Sequence, residues 1–359
     1  MPKIDSFLQY AINVGASDLH IISKSTPFIR MHGELKPVKA NPLSDIEAFA
    51  YISEILSPEQ LEHFNNELDL DFCYEAPGVG RFRTNVLRQR KGVNAVFRII
   101  PSKIRTLDEL GFPPIVKELT RHSQGLVLVT GPGGCGKTTT LAALIDSINS
   151  EHKVHIITIE DPVEYVHPRK KASVTQREIH RHTQSFASAL RAALREDPDV
   201  ILIGEMRDLE TISLAITAAE TGHLVFGTLH TRSAAKTVDR IIDVFPPSQQ
   251  NQIRAMFAES MRGIISQQLI SRADGQGRVL AYEILVDTPA VSNLIREGKT
   301  FQMATIMQMA SKEGMVLMDH SLLRLLQTKQ ISYEQAFART ENKKILPSMP
   351  LKTNPAIRT

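Results

Sequence analysis

The spacing of apolar positions changes along the chain, and the change divides it. In the first hundred residues helical and strand periods are mixed. DSFLQYAINVG has helical spacing and stops at Gly15, whereas SDLHIIS and PFIRMHGEL read as short strands, the second followed by a turn at His32-Gly33. SDIEAFAYISEIL starts at Ser44 with Glu47 three residues on, a pairing in which each side chain satisfies the other's backbone N–H at a helix start. SPEQLEHFNNE reads as another helix. DLDFCYEA, GRFRTNVLRQRKG and VNAVFRII alternate or are rich in β-formers, with turns at Pro77-Gly78 and Lys91-Gly92 between them. The pattern predicts a small α+β domain over residues 1–100 that ends in an antiparallel sheet.

Pro101, Gly111, Pro113 and Pro114 then punctuate a linker over 101–124. From 125 to 345 strands and helices alternate through GLVLVTG, TTTLAALIDSI, VHIITIED, FASALRAALRED, DVILIGE, LETISLAITAAETG and LVFGTLH. Several of these strands are unbroken apolar runs, as parallel strands covered on both faces require, so the fold class is α/β. After Arg232 helices are expected to dominate. PSQQNQIRAMFAESMRGIISQQLI and ALRAALRED read as amphipathic helices with core-facing stripes, and the methionines of MATIMQM as packing. The stretch 346–359 has three prolines and weak periodicity, and is expected to be disordered.

The strongest chemical signal lies where the first apolar run of the second region ends. Leu126-Val127-Leu128-Val129-Thr130 leads into Gly131-Pro132-Gly133-Gly134-Cys135-Gly136-Lys137-Thr138-Thr139, and a helical pattern follows. The interval from Gly131 to Thr138 fits G-x-x-x-x-G-K-[ST]. Glycines there let backbone N–H groups converge on phosphate oxygens, Lys137 reaches the outer phosphates, and the Thr138 hydroxyl is placed for Mg²⁺. ATP with Mg²⁺ is therefore the expected ligand, with residues 131–139 as the binding loop.

Other chemistry sits at strand ends, where open α/β sheets bind ligands. Val200-Ile201-Leu202-Ile203 delivers Glu205, a candidate for holding Mg²⁺ through water or for polarising the attacking water. HIITIEDPVEYV delivers Glu160, Asp161 and Glu164, whose individual roles the spacing leaves open. Leu224 to Leu229 is flanked by His223 and His230, and His230 at the carboxyl end is placed to meet a γ-phosphate. Arg81 and Arg83 share one strand face, with Arg98 on the next strand. They either clamp phosphate across a domain or subunit boundary or form a solvated face paired with acids.

Composition narrows the classes. The chain of 359 residues is 42% hydrophobic and 23% charged, enough for two cores. No apolar run approaches the roughly 18 residues of a membrane span, and the N-terminal residues lack a signal-peptide core, which predicts a cytoplasmic protein. Cys73 and Cys135 are too few for a disulfide framework or a four-cysteine zinc site. Cys135, between loop glycines and beside Lys137, is either a reactive thiol of lowered pKa or simply a small residue. The net charge of +3 is matched by the stretch 341–359, with Lys343, Lys344, Lys352 and Arg358 against Glu341, so no basic nucleic-acid face is expected.

Taken in order, ASDLH, GRFRTNVLRQRKGVNAVFR, the phosphate loop, ITIEDPVEYVH, LRAALREDPDVILIGEMRDLETI, TAAETGHLVFGTLHT and NLIREGK resemble the secretion-type ATPases, specifically the pilus-retraction (PilT-like) motor family, over about residues 1–340. The resemblance implies a PAS-like N-terminal domain, a RecA-like ATPase domain, a homohexameric ring and nucleotide bound between the two domains. It implies that Glu205 is the Walker B acid, Glu164 the Asp-box acid and His230 the His-box contact to the γ-phosphate, and that Arg81, Arg83 and Arg98 approach the nucleotide. It further implies work on a type IV pilus at the cytoplasmic face of the inner membrane, against a platform protein and indirectly on pilin. The loop departs from the family's usual GPTGSGK[ST] at Gly133 and Cys135, and the AVSNLIREGK segment departs at Val291 and Ser292. A retraction accessory paralogue (PilU-like) and a secretion or assembly ATPase are the alternatives. A nucleic-acid translocase is disfavoured by the balanced body of the chain and the absence of tryptophan.

Overall fold

The alternation in the first hundred residues becomes one antiparallel sheet with helices on a single face. The computed structural model describes residues 2–31 and 33–347. Along the chain come α1 (Ile4–Asn13), β1 (Asp18–Ile22), β2 (Phe28–Met31), β3 (Glu34–Pro37), α2 (Asp45–Ser53), α3 (Pro58–Glu67), β4 (Asp69–Ala76), β5 (Gly80–Gln89) and β6 (Gly92–Ile100). The six strands take the order β3-β2-β1-β6-β5-β4. Leu19, Ile21, Phe82, Val86, Ala95 and Phe97 line the buried face, and Leu8 of α1, Ile52 of α2 and Phe64 of α3 join the same cluster. Ser44 and Glu47 form the expected reciprocal cap, and Ser57 with Gln60 forms a second. Gly33, at φ +91°, supplies the β2–β3 turn, while His32 lies outside the described residues.

The rest of the chain supplies α4 (Pro114–Glu118), β7 (Gly125–Thr130), α5 (Lys137–Glu151), β8 (His155–Glu160), β9 (Ser173–Glu178), α6 (Phe186–Ala193), β10 (Val200–Ile203), α7 (Leu209–Glu220), β11 (Leu224–Leu229), α8 (Ala234–Asp243), α9 (Pro247–Ser260), β12 (Met261–Ser271), β13 (Arg278–Val286), α10 (Pro289–Arg296), α11 (Met303–Met309), α12 (Met318–Gln327) and α13 (Tyr333–Arg339). The chain forms two compact units, Met1–Thr106 with Ala142–Glu205, and Leu107–Leu141 with Met206–Thr359. In the first unit β10, β8 and β9 are parallel neighbours in that order. In the second, β7 lies between β11 and β12, parallel to both, and β13 returns antiparallel to β12. The fold is α/β with mixed sheets.

One expectation is corrected. The long amphipathic reading after Pro247 holds only to Ser260; Met261 to Ser271 is a strand, and β13 follows where the sequence pattern predicts mostly helix. The switch is physical: Gly263 abuts Leu119, with space too small for a Cβ, and Ile264 and Ile265 are buried on opposite faces of a strand. β9 gives no periodic signal, because SVTQRE carries one large apolar residue. Of the stretch expected to be disordered, Leu346 packs against Leu322, Leu325 and Ile331, and residues 348–359 lie outside the described residues.

One buried acid organises the second unit's later helices. Glu283 on β13 accepts the Ala234 N–H at 2.7 Å through Oε1 and the Met318 N–H at 3.4 Å through Oε2, the first residues of α8 and α12. No side chain of its own caps α12. Burial raises the Glu283 pKa against these two hydrogen bonds. Glu283→Ala is expected to lower stability by about 1–3 kcal/mol, with Glu283→Gln, which keeps an acceptor oxygen, losing less. Thermal denaturation of the two variants beside the parent chain measures this.

Candidate functional site

The phosphate loop begins where β7 runs out of partners for side chains. All six residues of β7 are buried. A Cβ on Gly131 would stand 2.4 Å from the Gln267 carbonyl oxygen and 2.6 Å from the Cys135 sulfur, so only glycine passes there. Gly134 and Gly136 take φ of +73° and +93°. A Cβ added at Gly133 or Gly134 would meet nothing within 4 Å, and Pro132, Gly133 and Gly134 are exposed. The loop is thus tight on its inner side and open on its outer side, the shape an anion-binding nest requires.

Lys137 closes this loop from its own end. Its Nζ donates to the carbonyl oxygens of Gly131 at 2.9 Å and Pro132 at 3.2 Å. Thr138 and Thr139 are half-buried in the first turn of α5. Cys135 is 3% exposed, and burial raises its thiol pKa, with Lys137 and loop N–H groups opposing too weakly to reverse it. Of the two readings of Cys135, burial favours the small packing residue beside Gly131, because desolvation acts against a lowered thiol pKa.

In the other unit the acidic segment after β8 is held from two sides. On β9, Gln176 accepts the His167 N–H at 2.9 Å and donates to the Tyr165 carbonyl at 2.9 Å and to Glu160 Oε1 at 3.1 Å. Glu178 accepts the Val163 N–H at 3.0 Å. From the six-stranded sheet, Arg81 donates to the carbonyls of Val163 at 2.9 Å and Glu164 at 3.3 Å, and Arg83 pairs with the Glu164 carboxylate at 3.1 Å. Arg83 also pairs with Asp71 at 2.7 Å, and Arg81 with Glu75. Burial opposes the charge on Arg83, but Asp71 and Glu164 outweigh it and hold the guanidinium above its ordinary pKa. Arg98 stands directly across from Arg83 in the ladder, yet its guanidinium turns to Asp18 at 3.0 Å. All three arginines are paired with acids within this chain, and two of them reach the acidic segment.

Within that segment the acids differ. Asp161 is exposed and Glu164 half-buried. Glu160 is 8% exposed and accepts from the Thr158 hydroxyl at 2.7 Å as well as from Gln176. Burial pushes its pKa up to about 7, against those two hydrogen bonds.

Glu205 follows β10 and is half-buried; the preceding Gly204 N–H bonds the Ile159 carbonyl at 2.8 Å, fixing the strand end. In the second unit His230 is exposed just past β11. His223, at the start of β11, is structural: its backbone N–H and Nδ1 both meet the Ala218 carbonyl, at 3.1 and 3.0 Å, closing the end of α7. Gly227 within β11 makes room for Met206, whose side chain would have to shift for a Cβ there.

Sequence reasoning missed Gln176 and Gln267. Each holds a functional loop from a strand that the sequence pattern does not reveal. Gln267 donates to the Cys135 carbonyl at 2.8 Å and accepts from the Thr140 hydroxyl at 3.0 Å. The only available signal was a glutamine inside an apolar run, in SQQLI, where a buried amide demands partners.

The family model for type II/IV secretion system proteins matches residues 1–338. The type IV pilus retraction ATPase PilT of Pseudomonas aeruginosa is 51% identical over 93% of this chain and 96% of its own length. A twitching motility protein of Neisseria gonorrhoeae is 50% identical over 89% of this chain and 86% of its own. The crystal structure of the pilus retraction motor PilT with bound ADP superposes with a TM-score of 0.88 at 46% identity, covering 97% of this chain and 99% of that one.

The buried Glu160 makes a pH-dependent expectation. Its folded pKa is raised from the ordinary 4.5 to about 7, so the native state binds the extra proton. Its contribution to stability is full below about pH 4.5 and is lost as pH rises through 7. Glu160→Gln, whose amide oxygen still accepts from Thr158 and Gln176, is expected to melt higher than the parent at about pH 8. That difference should vanish near pH 5, as read by thermal melts across the interval.

Proposed function

The chain belongs to the type II/IV secretion system protein family, and from that premise we propose that it is an ATP-hydrolysing motor powering type IV pilus retraction. The observation that carries the proposal is the phosphate loop, closed by its own lysine and open on its outer face. Lys137 lies on neutral carbonyls that a phosphate oxygen displaces, because a charge-assisted hydrogen bond is stronger than one to a carbonyl. The nucleotide fits the donors present: the backbone N–H groups of Gly133, Gly134 and Gly136 for phosphate, the Lys137 ammonium for the outer phosphates, and the Thr138 hydroxyl for Mg²⁺. Bound Mg²⁺ supplies charge neutralisation of the phosphates.

In this reading Glu205 holds Mg²⁺ through water or orients the attacking water, and Glu164 is the second acid, aimed by its ion pair with Arg83. His230 meets the γ-phosphate. Arg81, Arg83 and Arg98 carry positive charge toward the nucleotide, exchanging their present acids for phosphate when they do so. We read the N-terminal region, 1–100, as PAS-like, 101–124 as linker and 125–345 as RecA-like. The protein works as a homohexamer at the cytoplasmic face of the inner membrane, against a platform protein at the pilus base and through it on pilin. Among the described residues no helix is long and apolar enough to cross a membrane. No nucleic acid is required.

Glu205→Ala is expected to bind nucleotide with the parent's affinity while losing nearly all turnover, because the carboxylate acts on Mg²⁺ and water rather than on the loop. Loss of binding and of the thermal transition together would make Glu205 structural instead. Deleting the gene is expected to leave cells with excess surface pili and no twitching. Loss of pili would place the motor in extension, and unchanged pili with unchanged twitching would remove it from the pilus.

A further inference from the structure

We propose that Gln267 is the positioning residue that aims the phosphate loop, resting on the reading of residues 131–139 as that loop. β12 runs parallel to β7 with Ser266 opposite Thr130, and their hydroxyls bond at 2.8 Å in a fully buried pair. Gln267 is the next residue, just where β7 turns away into the loop, and it is 1% exposed. Its amide can face only one way. The Cys135 carbonyl only accepts, so Nε2 must meet it, and Oε1 is left to accept the Thr140 hydroxyl.

This fixes two things at once. The Cys135–Gly136 peptide is planar and trans, so its C=O and N–H point in opposite directions. Drawing the Cys135 carbonyl onto Gln267 turns the Gly136 N–H away from β12. That N–H belongs to the set that a phosphate must meet. The second bond pins Thr140, whose own N–H makes an early helical bond of α5 to Gly136 at 3.0 Å. One buried amide therefore ties the end of the loop to the start of the helix. Gly136 lies against the same side chain: a Cβ there would sit at ordinary contact distance, 3.4 Å, from Gln267 Nε2.

The loop contacts phosphate in substrate and transition state alike, so a mis-aimed N–H weakens binding of both. Gln267→Met, which keeps length and apolar packing but removes both hydrogen bonds, is expected to raise the KM for ATP and the Kd for a fluorescent MgADP analogue. The rise should be about tenfold or more, with kcat kept within about twofold. Gln267→Glu is the second variant. It retains the shape and an acceptor for Thr140 but presents no donor to Cys135, and its rise in Kd should be at least as large. A merely structural glutamine gives a different signature: kcat falls with the folded fraction while KM and Kd stay at the parent's values. That result in either folded variant overturns the proposal. Lys137→Ala is run beside them. If it binds the analogue like the parent, the phosphate-loop reading fails and this inference with it. If Lys137→Ala loses binding while both Gln267 variants keep it, this inference alone fails.

Discussion

The carboxyl end of β7 leaves room for a backbone and little else: a Cβ on Gly131 would stand 2.4 Å from one carbonyl oxygen and 2.6 Å from a sulfur. Everything chemical in the second unit follows from that confinement. The chain must leave the sheet as glycine, it must turn through left-handed conformations at Gly134 and Gly136, and it must re-enter order as a helix at Lys137. The Gly131 N–H still bonds the Leu229 carbonyl of β11, but the glycine N–H groups beyond it lie past the strand, and an anion is their natural partner. The confinement also explains Cys135. Its sulfur fills the inner side of the loop, away from water, and burial raises its thiol pKa despite its positive neighbours.

A loop that must stay open to a ligand gains little from burial, so its shape has to come from hydrogen bonds made on its inner side. Two glutamines do this in parallel fashion, one in each unit. Gln267 ties the phosphate loop to α5, and Gln176 ties the acidic segment to β9 through three bonds. Neither glutamine is itself charged. An amide suits the task because it offers donor and acceptor together and carries no ionised form to desolvate. Charge is kept for the arginines, which hold Glu164 by its carboxylate and its carbonyl. Glu160 is the exception, an acid buried deeply enough to titrate near neutrality beside segments built for ionised ones.

Much of this was legible in the sequence because strong local signals and tertiary requirements agree. The glycine loop after an apolar run, the strand ending at Glu205 and the cap at Ser44 were readable since each needs only its neighbours. The first sheet was readable because alternation on one buried face fixes both strand and register. What stayed hidden was set by distant partners. β9 has almost no apolar pattern of its own, and β12 continues directly from α9 without a breaker, so periodicity ran on past Ser260. The two glutamines are visible only once those strands are placed. The arginines illustrate the same limit. Alternation placed Arg81 and Arg83 on one face and the ladder placed Arg98 opposite, but which acid each guanidinium takes depends on segments up to 81 residues away.

Phosphate release from the purified protein in the presence of MgATP, repeated with Mg²⁺ removed by chelation, tests the central claim most directly. The account requires steady turnover that depends on Mg²⁺ and ceases when the metal is withdrawn, with ADP still able to bind. Tight nucleotide binding with no phosphate released under any Mg²⁺ concentration would contradict it, and would leave a nucleotide-sensing protein in place of a motor.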